Sequence, residues 1–72
     1  MTTDELFRRH APFVARLLHR LGVPTWEVDD VVQQVFVVVH KNGGYVQGPA
    51  TPTSYLGAIA VRAASSARRR HG

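Results

Sequence analysis

Residues 31–42 read VVQQVFVVVHKN, and Gly43-Gly44 follows. Valine is β-branched and favours strands, and Asn42-Gly43 is a strong two-residue hairpin signal. Taken locally, the stretch is a β-hairpin. The two glutamines argue otherwise. At about 100° per residue around a helix, Val28, Val31, Val32, Val35, Phe36, Val38 and Val39 fall within one arc of about 160°. Glu27, Asp29, Asp30, Gln33, Gln34, His40 and Lys41 fall in the other. Laid out as a strand, the same residues mix on both faces: Val31, Gln33 and Val35 on one, Val32, Gln34 and Phe36 on the other. A helix sorts this sequence and a strand does not. Periodicity therefore predicts a helix over 26–42, against a propensity deficit of roughly a few tenths of a kcal/mol per valine.

The flanks agree. Thr25 is a suitable N-cap. Glu27, Asp29 and Asp30 would sit near the positive end of the helix dipole. Gly43 or Gly44 would close the other end. One residue escapes the sorting. Val37 lands among Asp30, Gln33, Gln34 and Lys41, on the polar arc. It is either a lone exposed valine or the apolar centre of a contact patch.

The preceding segment opens with Thr2 and Glu5, spaced as a capping box in which hydroxyl and carboxylate satisfy each other's backbone amides. A helix over about 4–21 follows, with Leu6, Phe7, Phe13, Val14, Leu17, Leu18 and Leu21 at helical spacing and Gly22 at its end. Pro12 should kink or split it near Arg9–His10. Arg8, Arg9, Arg16 and Arg20 read as a solvated face.

Residues 43–53, GGYVQGPATPT, form a loop by composition. Thr51 or Thr53 then caps a third helix over about 52–70, with Pro52 placed for its first turn. Leu56, Ile59, Ala60, Ala63 and Ala67 would form its buried face, and the small alanines imply close helix approach. Tyr55, Arg62, Ser65, Ser66 and Arg69 share the opposite face. Arginines and hydroxyls together suit phosphate contacts; an ordinary solvated helix normally mixes in glutamate, and none occurs here.

Charge sharpens this reading. All five acids lie in the first 30 residues, against four arginines, a net of −1. Residues 31–72 hold Lys41, Arg62, Arg68, Arg69 and Arg70 and no acid, a net of +5. A wholly basic half suggests an anionic partner. The 72 residues allow one small domain. The chain has no cysteine, so disulfides and thiolate metal sites are excluded; this suits a reducing cytoplasm. No stretch approaches the ~20 apolar residues of a membrane span, so no membrane partner is expected. His10, His19, His40 and His71 lack metal-ligand spacing. No glycine-rich loop joins a strand to a helix. Neither an enzyme nor a cofactor is expected.

The order of these features resembles a known family. EVDDVVQQVFVVVHK is similar to the DlvQevFl signature in region 2 of extracytoplasmic-function sigma factors, the small bacterial transcription initiation factors. PTSYLGAIAVRAASSARRR resembles that family's WLyrIArNlaiDhlRR helix, and LFRRHAPFVARLLHRLGVP its first helix, proline included. The likeness covers nearly all of residues 5–70. It implies an all-α, three-helix region 2 fold whose second helix docks on the clamp coiled coil of the RNA polymerase β′ subunit. Asp30, Gln33 and Phe36 match the signature directly, and Gln34 stands where the family usually has glutamate. Phe36 belongs to the buried arc; Asp30, Gln33, Gln34, Val37, His40 and Lys41 are the expected docking residues.

The resemblance further implies that the loop and third helix capture the non-template strand of the promoter minus-ten element, with a base flipped out and read at its exposed edge. Tyr45, Gln47, Thr53, Ser54 and Tyr55 are then candidates for the base pocket. Arg62, Ser65, Ser66, Arg69 and Arg70 are candidates for backbone contact. Tyr55 replaces the family's tryptophan, Arg62 its asparagine and Ser66 its aspartate. The resemblance also admits an anti-sigma factor as partner. The family's second helical domain, which reads the minus-35 element, is not expected within these 72 residues. Two other readings remain: an interaction domain that binds polymerase or a regulator without promoter reading, and, more distantly, a helix-turn-helix binder of duplex DNA.

Overall fold

The computed structural model describes residues 2–45 and 48–71. Three α-helices pack pairwise: α1 (Thr3–Arg20), α2 (Val28–Lys41) and α3 (Pro52–His71). No strand occurs among the described residues. The valine run is helix.

Helix α1 starts at Thr2, whose Oγ1 accepts the Glu5 amide at 3.2 Å. The reciprocal half of the expected box differs: the Thr2 hydroxyl donates to the Glu5 carboxylate at 3.4 Å. Pro12 neither splits nor ends the helix, which runs unbroken to Arg20. Proline removes the amide that the carbonyl of Arg8 would accept. Both Pro12 and Arg8 are exposed, so water can satisfy that carbonyl and the penalty stays small enough for packing to override.

Both α1 and α2 end alike. Gly22 (φ 89°) donates to the carbonyl of His19, and Val23 to that of Leu18. Gly43 (φ 83°) donates to His40, and Gly44 to Val39. These are the paired bonds of a Schellman motif, which needs a left-handed residue that glycine supplies without Cβ strain. Asn42-Gly43 is thus a helix stop and not a hairpin turn.

The start of α2 departs from expectation. Thr25 is not an N-cap; it opens a 3₁₀ turn over Thr25–Glu27 whose own cap is Pro24. The Glu27 amide donates to the Pro24 carbonyl at 2.9 Å, and only from Val28 does the α-helical ladder begin. Trp26, on this turn, is 79% exposed. Helix α3 opens as expected. Thr51 Oγ1 accepts the Ser54 amide at 3.2 Å, and Pro52 occupies the first helical position.

The core lies between the three helices. Leu6, Val14 and Leu18 from α1, Val31, Val35 and Val39 from α2, and Leu56 and Ala60 from α3 are fully buried. Each large aliphatic side chain so buried contributes about 1.5–3 kcal/mol. Ala64 and Ala67 are also buried, which lets α3 approach its neighbours closely. Ile59 and Ala63 are only half-buried, so Ala64, and not these two, completes the α3 stripe. Two residues of the expected apolar faces lie outside the core. Val38 is 41% exposed, because it sits at the very edge of the α2 arc. Phe7 is 45% exposed; its ring lies edge-on to Phe36, with centroids 5.2 Å apart.

Candidate functional site

The outward face of α2 follows from the sorting of its residues. With Val28, Val31, Val32, Val35, Phe36 and Val39 turned inward, Asp30, Gln33, Gln34, Val37, His40 and Lys41 are all exposed. Val37 is 51% exposed. A hollow of about 500 Å³ is lined by Asp30, Gln33, Gln34, Val37 and Val38. The structure therefore brings most of the expected docking residues around one depression with an apolar floor. His40 and Lys41 lie one turn further on, in a neighbouring hollow that Val37 and Gln33 also line.

A second site forms where the loop meets α3. A cleft of about 300 Å³ is lined by Asn42, Gly44, Tyr45, Gly48, Pro49, Ala50 and Tyr55. Tyr45 is 9% exposed and belongs to the core as well as to the cleft wall. Its hydroxyl donates to the Ala50 carbonyl, which ties the two ends of the loop to each other. The half-buried Tyr55 ring tilts by 52° against Tyr45, with centroids 5.7 Å apart. Asn42 Nδ2 donates to the Tyr55 hydroxyl at 3.3 Å, holding the ring from the end of α2.

The remaining pocket candidates divide. Thr53 Oγ1 lies 3.3 Å from Thr51 Oγ1, and the Thr51 hydroxyl donates to Ser54 Oγ at 3.0 Å. Both hydroxyls are thus tied into the α3 cap, and neither residue lines the cleft. Gln47 lies outside the described residues. Asn42 was read in the sequence only as a turn signal; its reach to Tyr55 spans 13 positions and needs the fold.

Along α3, Arg62 and Arg69 are exposed and Ser65 and Ser66 half-buried. Arg69 donates to Ser66 Oγ and Arg68 to Ser65 Oγ, each at 3.4 Å. Arg70 takes a different side: its guanidinium lies 4.0 Å from the Glu27 carboxylate, pinning the end of α3 to the start of α2. Arg62, Ser66 and Arg69 form a row at i, i+4 and i+7, and Tyr55 continues it about two turns earlier.

The family model for Sigma-70 region 2 matches residues 6–72. The chain belongs to this family. Comparison with curated proteins and with solved structures gives no match. The domain is accordingly a sigma-factor element of transcription initiation, a binding module for RNA polymerase core and promoter DNA and not an enzyme. No helix among the described residues is long and apolar enough to cross a membrane.

Proposed function

We propose that this domain is the region 2 module of an extracytoplasmic-function sigma factor, working in the bacterial cytoplasm. It docks on the β′ clamp helices through the outward face of α2 and holds the non-template strand of the minus-ten element along the loop and α3. The observation that carries this is the separation of the two faces. Asp30, Gln33, Gln34 and Val37 surround a hollow on α2, while a two-tyrosine cleft and an acid-free row of arginines lie on α3.

Roles follow from chemistry. Val37 supplies apolar contact, and the glutamines and Asp30 supply hydrogen bonds around it. An unstacked base enters between the loop and Tyr55, whose ring offers a stacking face independent of base identity. Tyr45 shapes that pocket from behind. Thr53 and Ser54 hold the geometry of the α3 start through the cap. Arg62 and Arg69 neutralise phosphates, with Ser65 and Ser66 as hydroxyl donors beside them. Arg70 acts from the edge of the row because Glu27 holds it. Gln47 is retained as a base-edge partner on the resemblance alone. An anti-sigma factor would compete for these same faces.

The test of docking is Gln33→Ala measured against a helical hairpin spanning the β′ clamp helices. Binding should weaken several-fold while thermal unfolding barely moves, since exposed substitutions shift stability by less than about 0.5 kcal/mol. A variant that unfolds would make Gln33 structural and remove the docking role. Preference for promoter single strand over duplex separates this reading from a helix-turn-helix binder, and binding of the hairpin without any single strand would indicate an interaction module alone.

A further inference from the structure

Arg20, Trp26 and Arg68 take no part in either proposed face, yet the fold gathers them at the end of the bundle where α1 and α3 finish. A Cβ on Gly22 would lie 3.7 Å from Arg68 Cδ, so the stem of Arg68 passes over the stop of α1. At the other end of the same segment, the Glu27 carboxylate lies 4.0 Å from the Arg70 guanidinium. The 22–27 segment is thus bracketed by two arginines of α3, and Trp26 stands within it, 79% exposed. Arg20, exposed, closes the last turn of α1 beside it. Residues 19–27 and 68–71 hold four arginines and one acid, a net of +3. Asp29 and Asp30, exposed on the first turn of α2, mark where this basic end stops. Ordinary helix chemistry accounts for part of the arrangement, since a cation in a last turn complements the helix dipole. It does not account for three consecutive arginines meeting a fourth from another helix, or for an indole left in solvent beside them. Tryptophan and arginine together are the residues most concentrated in contact surfaces.

We propose that this end of the bundle is a second DNA surface, built by α1 and the segment after it, which holds the sugar–phosphate backbone of a duplex adjoining the melted strand. Arg20 and Arg68 are its phosphate contacts, and Trp26 lies against the sugars between them. The inference rests on the reading above that α3 carries the single strand. Two observations name the occupant. The first is continuity: the row of Arg62, Ser66 and Arg69 runs to this end of α3, so a strand leaving Arg69 arrives at Arg68 and, across Gly22, at Arg20. The second is charge. A duplex carries one negative charge per ~1.7 Å of its axis. It is also stiff, so it spans cations on two different helices at once, where a flexible strand follows one row. Arginines on a blunt bundle end touch backbone, which positions the duplex without reading its sequence.

The experiment measures anisotropy of labelled DNAs with the full chain and with Arg20→Ala and Trp26→Ser, each checked by thermal unfolding. The DNAs are a minus-ten single strand, the same strand carrying a duplex arm of arbitrary sequence at one end or at the other, and the arm alone. In the wild type the arm should tighten binding several-fold at one end of the strand only. It should steepen the log–log salt slope by about 0.9 for each phosphate it adds. Arg20→Ala should flatten that slope by about one such contact and leave binding of the strand alone unchanged. Trp26→Ser should lose affinity for the armed strand with the slope unmoved; if it unfolds, Arg20→Ala decides alone. Armed strands that bind the wild type no better than the bare strand overturn the proposal and leave the strand reading standing. An arm that helps equally in wild type and both variants overturns it too, because the arm is then held elsewhere. Binding of the arm that Arg20→Ala abolishes, with no binding of the bare strand, keeps the duplex surface and removes the strand reading. Binding to vesicles of phosphatidylserine that Trp26→Ser abolishes, with the arm without effect, gives this end to a membrane surface and overturns the proposal.

Discussion

The outward faces of α2 and α3 are built on opposite principles. On α2 the centre is an exposed valine, and the polar groups around it are mostly uncharged. On α3 the row is cationic, and its hydroxyls are held by neighbouring arginines. The first face suits a partner whose shape is fixed and whose contact buries apolar area. The second suits a flexible polyanion, for which attraction matters more than fit. On the proposed reading, one small domain holds two partners at once because the two chemistries do not compete.

The contrast breaks most readily at Val37. Val37→Arg puts a charge at the centre of the proposed docking hollow without touching the core, since the side chain is already half in solvent. Loss of a central contact costs at least about 2 kcal/mol of binding, so affinity for the clamp hairpin should fall thirtyfold or more. Thermal unfolding and single-strand binding should stay near wild type. A loss of single-strand affinity in this variant would mean that the two faces are coupled, and the division of labour would fail.

A somewhat smaller effect is expected at Tyr55. Removing one stacked base costs roughly 1–3 kcal/mol, with an unchanged salt slope because no charge is lost. Tyr55 also packs on Tyr45 and accepts from Asn42, so Tyr55→Ala must be paired with Tyr55→Phe. The phenylalanine keeps the ring and loses only the Asn42 contact. It should bind single strand nearly as wild type does, measured by anisotropy in the presence of the clamp hairpin. Equal losses in both variants would assign the effect to the hydroxyl and not to stacking.

How much of this was legible in the sequence differs between the same two regions. The α2 face could be read almost residue by residue, because helical period alone decides which side chains share an arc. Only Val38, at the margin of that arc, came out on the wrong side. The cleft could not be read in this way. It depends on Tyr45 turning into the core, on the Ala50 carbonyl and on Asn42 reaching across 13 positions, all contacts between elements. Thr53 and Ser54 were recognisable as hydroxyls near a helix start, but their capture by Thr51 decides that they hold the backbone and do not line the cleft. Phe7 fails for a related reason. Its spacing placed it with the core of α1, and only the position of α2 shows that its ring lines hollows at the surface. The unbroken helix through Pro12 shows packing overriding a local rule, at a position where solvent can serve the orphaned carbonyl.

The finest distinction lies within the arginines of α3. Each phosphate neutralised on a single strand contributes about −0.7 to the log–log salt slope. Arg62 and Arg69 are exposed, two helical turns apart on one side, so Arg62→Ala and Arg69→Ala should each flatten the slope by about that amount and weaken all sequences alike. Arg70 differs, because its guanidinium lies 4.0 Å from the Glu27 carboxylate. Part of its charge is already answered within the protein, and contacting DNA would cost it the Glu27 contact. Arg70→Ala should therefore flatten the slope by clearly less than Arg69→Ala. It should also cost a little stability, within the roughly 0–1 kcal/mol of a solvent-exposed ion pair. The two measurements on one variant separate the roles. A slope change equal to that of Arg69→Ala, with unfolding unmoved, would place Arg70 on the phosphate row and make the Glu27 contact incidental. A small slope change with a lowered unfolding midpoint would keep Arg70 as the tie between the end of α3 and the start of α2.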